Sequence, residues 1–224
     1  GAGPPEQPED RGEAPKRPRR GGSGAAPAVG AGFRVAAHLC GEACLRALRG
    51  DAEYVLELQR AIGFRRVQLN PTGANAAGGW EPRAAAAGIR RLAAALPDTE
   101  LILQVNDETR ELFRLLFEGC GEGDIRPSNL AALLDASCGR GVAPEVQSLP
   151  VAGAHCGYAG GMGPETIDRQ LREIAVVLEG HPDTVWIDME SGVRTRGADG
   201  SDVFDLAKVR QVIDAIVAAG LAPS

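Results

Sequence analysis

Aromatic residues are scarce, at 4% of the 224 residues. A core must therefore be built from Leu, Val, Ile and Ala, which the 44% hydrophobic fraction supplies. No apolar run approaches the roughly 18 residues that a membrane-spanning helix needs. No apolar stretch follows the N-terminus, so no secretory signal is read there. Positive charge is not in excess: 24 Lys and Arg stand against 30 Asp and Glu, a net charge of -6. That balance argues against a broad nucleic-acid surface. Cysteine is sparse, five residues at irregular spacing. An odd, irregular set reads as reduced thiols, and hence as a cytoplasmic protein. Cys40 and Cys44 with His38 nearby have ligand chemistry, but one pair without a second makes no metal site. Neither a metal nor another cofactor is expected, and the oligomeric state is not read.

Residues 1–32 hold Gly, Pro, Ala and charge, with Val29 the only larger aliphatic. Such a stretch buries too little apolar surface to offset its ordering entropy and reads as a disordered tail. Lys16-Arg-Pro-Arg-Arg20 has the composition of an import signal or an anion-binding patch. A solvated basic run is the simpler reading. The first residue is Gly, as in a fragment or a processed product.

From Phe33 the composition changes, and residues 33–224 read as one α/β domain. Strands are expected at Phe33–Leu39, Phe64–Leu69, Leu101–Val105, Leu130–Leu134, His155–Ala159 and Val185–Asp188. Helices are expected at Leu45–Ile62 with a break at Gly50, at Pro82–Leu96, at Thr109–Phe117 and at Phe204–Ala219. Another follows Pro164, with Ile167, Leu171, Ile174 and Leu178 on one face. Near-continuous apolar strands alternating with helices mean a parallel sheet. A (β/α)8 barrel takes about 250 residues, or about 31 per unit. Residues 33–224 hold roughly six such units, so the expected fold is TIM-barrel-like with six of eight units present, a partial barrel.

In parallel α/β folds chemistry sits at the carboxyl ends of the strands. Those ends are polar throughout: His38 and Cys40, then Gln68 and Asn70, then Gln104, Asn106 and Asp107. Asp135 and Ser137 follow, then Tyr158, then Asp188, Glu190 and Ser191. Helix capping accounts for single members, Asp107 and Asp205 above all; it does not account for six polar ends together. The stretch Cys156–Gly192 concentrates the signal. Two successive strands end in the glycine turns Ala159–Gly163 and Ser191-Gly192, and such turns bare backbone N–H groups for an anion. In barrels the loops after the last two strands often hold a phosphate.

The motif order resembles phosphoribosylanthranilate isomerase, a phosphate-binding (β/α)8 barrel family. Val67-Gln68-Leu69 is similar to that family's fourth strand. Leu133-Leu134-Asp135 with Gly139-Arg140-Gly141 is similar to its sixth, and Ala159-Gly160-Gly161-Met162-Gly163-Pro164-Glu165 to its seventh. Asp188-Met189-Glu190-Ser191-Gly192-Val193 is similar to its eighth, and Asp205–Val209 to the helix start that follows. The resemblance covers Val67–Val209, makes Phe33–Leu39 the third strand and leaves the first two units outside the chain. It implies a phosphorylated small-molecule ligand held by Gly160, Gly161, Ser191 and Gly192. It also implies Asp135 as general acid in an aldose–ketose type isomerisation. The departures are specific. The family's base is a cysteine on its first strand, whereas Leu39-Cys40-Gly41 maps to the third; His38 or Cys40 would have to act as base. A substrate-contacting arginine has no counterpart, Asn70 replaces a histidine, and Glu190 replaces a serine. Two alternatives stand beside this reading. One is a non-catalytic or inactive barrel fragment. The other is a metal-assisted epimerase or aldolase with Asp135, Asp188 and Glu190 around a divalent cation.

Overall fold

Six parallel strands pair in simple sequential order: β1 (Ala36–Leu39), β2 (Arg66–Leu69), β3 (Glu100–Val105), β4 (Leu130–Leu134), β5 (Cys156–Tyr158) and β6 (Val185–Ile187). The structure is a computed structural model describing residues 34–119, 125–135, 137–138, 140–181 and 184–221. The tail of residues 1–32 lies outside the described residues. Sequential parallel pairing curls the sheet into a half-barrel, the expected partial TIM-barrel-like α/β fold.

Alternation along the strands sorts the side chains. Leu39, Val67, Leu69, Leu101 and Leu103 point outward and form the main core with α1 (Gly41–Leu48), α2 (Ala52–Ile62), α3 (Pro82–Ala95) and α4 (Arg110–Phe113). Tyr158, Leu134 and Ile187 pack outward against Ile174 and Val177 of α5 (Ile167–Val177). Ile102, Ala131, Leu133 and Ala159 point inward with Trp186. The base of the concave face is polar and aromatic. Glu100 takes Arg66 Nε at 2.5 Å on one oxygen and meets His155 Nδ1 at 2.6 Å with the other. The rings of His155 and Trp186 lie 4.4 Å apart, and the Arg66 guanidinium stands 4.6 Å over the indole.

The link from β4 to β5, where no helix is expected, carries none among its described residues; Gly141, Pro144, Pro150 and Gly153 disfavour one. The structure departs from the sequence reading at three places. Pro164 lies in a turn, and α5 starts only at Ile167. The Thr166 hydroxyl donates to Gly161 O and accepts from Gly163 N, so it ties the turn together before the helix begins. The expected helix Thr109–Phe117 is α-helical only over Arg110–Phe113 and continues as a π-helix at Arg114–Glu118. Phe204 is not helical. It ends a hairpin of β7 (Arg194–Arg196) and β8 (Asp202–Phe204), after which Asp205 caps α6 (Leu206–Ala218) through Ala207 N and Lys208 N. No helix among the described residues is long and apolar enough to cross a membrane.

Candidate functional site at the strand mouth

The carboxyl ends of the strands surround a cavity of about 220 Å³. His38 of β1 and Asp188, next after β6, face it from the two edge strands, with Gln68, Gln104 and Asp135 between them. Gly160, Gly161 and Ser191 close one side, and Arg140 and Arg196 stand at its margin. The curl of the sheet thus brings the first and last strands to one pocket. A second cavity of about 230 Å³ lies against α4 and the β4–β5 link; of the acid, base and phosphate candidates, only Asp135 touches it.

Asp135 is buried, and both its oxygens are engaged. Gln104 Nε2 donates to Oδ2 at 2.6 Å, while Ser137 Oγ and Ser137 N donate to Oδ1 at 2.5 and 3.1 Å. Ser137 Oγ in turn accepts from Gly141 N at 3.1 Å, so Asp135 anchors the loop that follows β4. On its other side Gln104 Oε1 accepts from Asn75 Nδ2 at 3.3 Å. Asn75 Nδ2 also reaches Thr72 Oγ1 at 2.8 Å. The thiol of Cys40 donates to Asn75 Oδ1 at 3.6 Å and lies 3.4 Å from His38 Nδ1. One hydrogen-bonded line therefore runs along the mouth from β1 to the loop after β4.

Asp188 is the half-buried carboxyl of the mouth. Burial raises it above the usual aspartate range, and the nearby carboxylates of Glu190 and Asp135 push the same way. His38 pulls against that rise, which places the imidazole within electrostatic reach of Asp188. Burial, and then Glu190, also raise the Cys40 thiol, so Cys40 is a thiol and not a thiolate at neutral pH.

The glycine turns are where three loops lock together. A side chain at Gly161, whose φ is +61°, would meet Ala143 N at 2.4 Å. One at Gly160 would meet Val142 O at 3.0 Å, and one at Gly192 would meet Met162 O at 1.9 Å. A Cβ on Gly141 would stand 2.3 Å from Ser191 Oγ. Among the described residues, the backbone N–H groups of Gly160, Gly161, Ser191 and Gly192 donate to no protein acceptor. Open donors thus occur in both glycine turns, beside the margin that carries Arg140 and Arg196.

All five residues singled out from the sequence lie in this region: Asp135, Gly160, Gly161 and Ser191 line the cavity, and Gly192 follows one residue beyond. Asp107 is not a cap; Asn106 Oδ1 takes Glu108 N and Thr109 N, and Asp107 pairs with Arg110. Asn75 and Arg196 escaped the sequence reading, because each enters the mouth from a loop or hairpin and not from a strand end. Among the described residues no three His, Cys, Asp or Glu side chains gather closely enough to share an ion. The cation-centred use of Asp135, Asp188 and Glu190 therefore has no ligand geometry behind it. Among the described residues no two cysteines form a disulfide. Compared with protein-family models, curated proteins and solved structures, the chain matches none, so the resemblance rests on the strand-end motifs alone.

Proposed function

We propose that the mouth binds a phosphorylated small molecule and performs acid–base, isomerase-like chemistry on it. The observation that carries this reading is the pairing of open N–H donors in two glycine turns with an acid and a base in one cavity. Gly160, Gly161, Ser191 and Gly192 offer their amides to the phosphate, and Arg140 and Arg196 offset the negative charge of Glu190. Asp188 is the proton donor, because burial first, and Glu190 and Asp135 after it, favour its protonated form more than in an exposed aspartate. His38 is the base. In an aldose–ketose shift Asp188 gives its proton to the ring oxygen as the ring opens, and His38 removes the proton from C2. Asp188 takes back the proton that O1 releases on opening and gives it to O1 again as C2 is deprotonated. His38 then hands the C2 proton to C1 while the O2 hydroxyl returns a proton to Asp188. Both groups end as they began, and no outside oxidant or reductant is needed. Each partner is worth about 10²–10⁴ in rate. Asp135, assigned the acid by resemblance, serves in this reading as the anchor of the loops.

A second reading has its own support. Every glycine of the two turns has its side-chain space filled by a neighbouring loop, as expected of a non-catalytic barrel fragment whose turns are structural. Thermal-shift titration with inorganic phosphate and ribose 5-phosphate separates the two. At 100 times its Kd a ligand adds about 2.7 kcal/mol. The variant is Arg196→Glu, since Arg196 is 87% exposed and its loss leaves the packing intact. Stabilisation that the variant weakens supports the enzyme reading. No stabilisation of the folded protein by either ligand removes it.

A further inference from the structure

Hydrogen-bond polarity along the mouth is determined from one end. The carboxylate of Asp135 accepts the backbone N–H of Ser137 on Oδ1 and therefore presents a second acceptor, Oδ2, to Gln104. Gln104 must turn its amide nitrogen to that oxygen, which leaves Oε1 for Asn75. Asn75 must then turn its nitrogen to Gln104, which leaves Oδ1 for Cys40. The thiol must donate to that oxygen, so its sulfur is left to accept from His38 Nδ1. Each step follows because an amide carries donors on one side and acceptors on the other. The nitrogen of a neutral imidazole that holds the proton is set by the bond the ring makes. His38 Nε2 has no protein partner among the described residues, and the ring lines the cavity.

We propose that the Asp135 carboxylate, acting through Gln104, Asn75 and Cys40, holds His38 in the tautomer protonated at Nδ1, with the lone pair of Nε2 turned to the cavity. Asp135, Gln104, Asn75 and Cys40 are positioning residues in this scheme. The inference rests on the reading of His38 as the base, yet it concerns a tautomer that exists with or without substrate. It also gives the half-buried Cys40 a role that needs no thiolate.

The isosteric change Asp135→Asn carries a counter-intuitive consequence. Ser137 N still requires an oxygen at the Oδ1 position, so the new amide nitrogen faces Gln104. Gln104 then flips to present its oxygen, Asn75 flips in turn, and the Thr72 hydroxyl rotates to follow. The Asn75 nitrogen now donates to sulfur, the thiol donates to His38 Nδ1, and the imidazole proton moves to Nε2. One atom replaced four residues along the chain of bonds inverts the tautomer.

The test is long-range ¹H–¹⁵N correlation on the 224-residue chain with ¹⁵N-labelled histidine, at alkaline pH. The chain has three histidines, and His38→Gln identifies the signal. Wild type is expected to show Nδ1 protonated and Nε2 bare, Asp135→Asn the reverse, and Cys40→Ala a mixture. Cys40→Ser, whose hydroxyl donates in the same direction, is expected to restore the wild-type pattern. A wild-type signal protonated at Nε2, or a folded Asp135→Asn protein with an unchanged tautomer, overturns the proposal. Because no ligand is present, a failed phosphate titration leaves this result standing, and a failed tautomer result leaves phosphate binding standing.

Discussion

The indole of Trp186 lies across the bare Cα of Gly157 on the neighbouring strand, so close that a Cβ there would stand 2.2 Å from the ring. In a barrel interior that place is ordinarily filled by branched side chains in layers. Here one large ring, held between His155 and Arg66, covers it. Gly157→Ala must displace the indole, and overpacking of this kind costs about 1–3 kcal/mol. The fluorescence of Trp186, isolated by Trp80→Phe, should shift to longer wavelength as the ring moves toward water. Unchanged emission and stability would mean the ring does not rest on Gly157.

Gly161 and Gly180 make a matched pair for testing the interlocked loops. Both have positive φ, +61° and +81°, but Gly180 has no atom within 4 Å of a built Cβ. Gly180→Ala should lose only the cost of a left-handed alanine, about 1–2 kcal/mol. Gly161→Ala adds the collision with Ala143 and should cost about 1–3 kcal/mol more. Equal losses in denaturant titrations would show that Ala143 gives way freely.

Asp188 predicts a pH-dependent stability. Its folded-state value is raised by burial first and by Glu190 and Asp135 after that. A raised carboxyl stabilises the fold while protonated, below the usual aspartate range, and that contribution is lost as pH rises through the raised value. At neutral pH the buried charge is therefore a cost, which Asp188→Asn removes. The variant should melt above wild type at pH 7, and the gain should vanish in acid below the ordinary aspartate titration. A variant that melts below wild type at pH 7 would show that the attraction to His38 outweighs burial.

Turnover offers a further check once a substrate is in hand. Asp188→Asn and His38→Gln should each lower kcat by about 10²–10⁴. Both should leave the thermal shift from phosphate within a factor of a few of wild type. Loss of phosphate binding in both variants would place these groups at the ligand's charge and not at its reacting carbons.

The central strands were legible in the sequence because parallel strands buried on both faces read as apolar runs; Leu130–Leu134 agrees at both ends. The polar strand ends pointed to the mouth for the same reason, since a polar residue closing an apolar run needs a partner or water. Three features were not legible. Strands β7 and β8 are three residues each and rich in charge, too short for a period, although Asp199-Gly200 is a hairpin signal. Arg66, Glu100 and His155 meet from three separate units, and nothing local announces that an inward position is ionic. The line from His38 to Asp135 likewise joins distant units through Asn75, a residue inside a Gly/Asn-rich loop. Its direction follows only from geometry.

The most direct test of the central claim is an amide ¹H–¹⁵N titration of the 224-residue chain with ribose 5-phosphate. The account predicts saturable downfield shifts of the Gly160, Gly161, Ser191 and Gly192 amide protons, reproduced in part by inorganic phosphate and weakened in Arg196→Glu. Saturable shifts elsewhere with these four amides unmoved, or no shift at all in the folded protein, would contradict it.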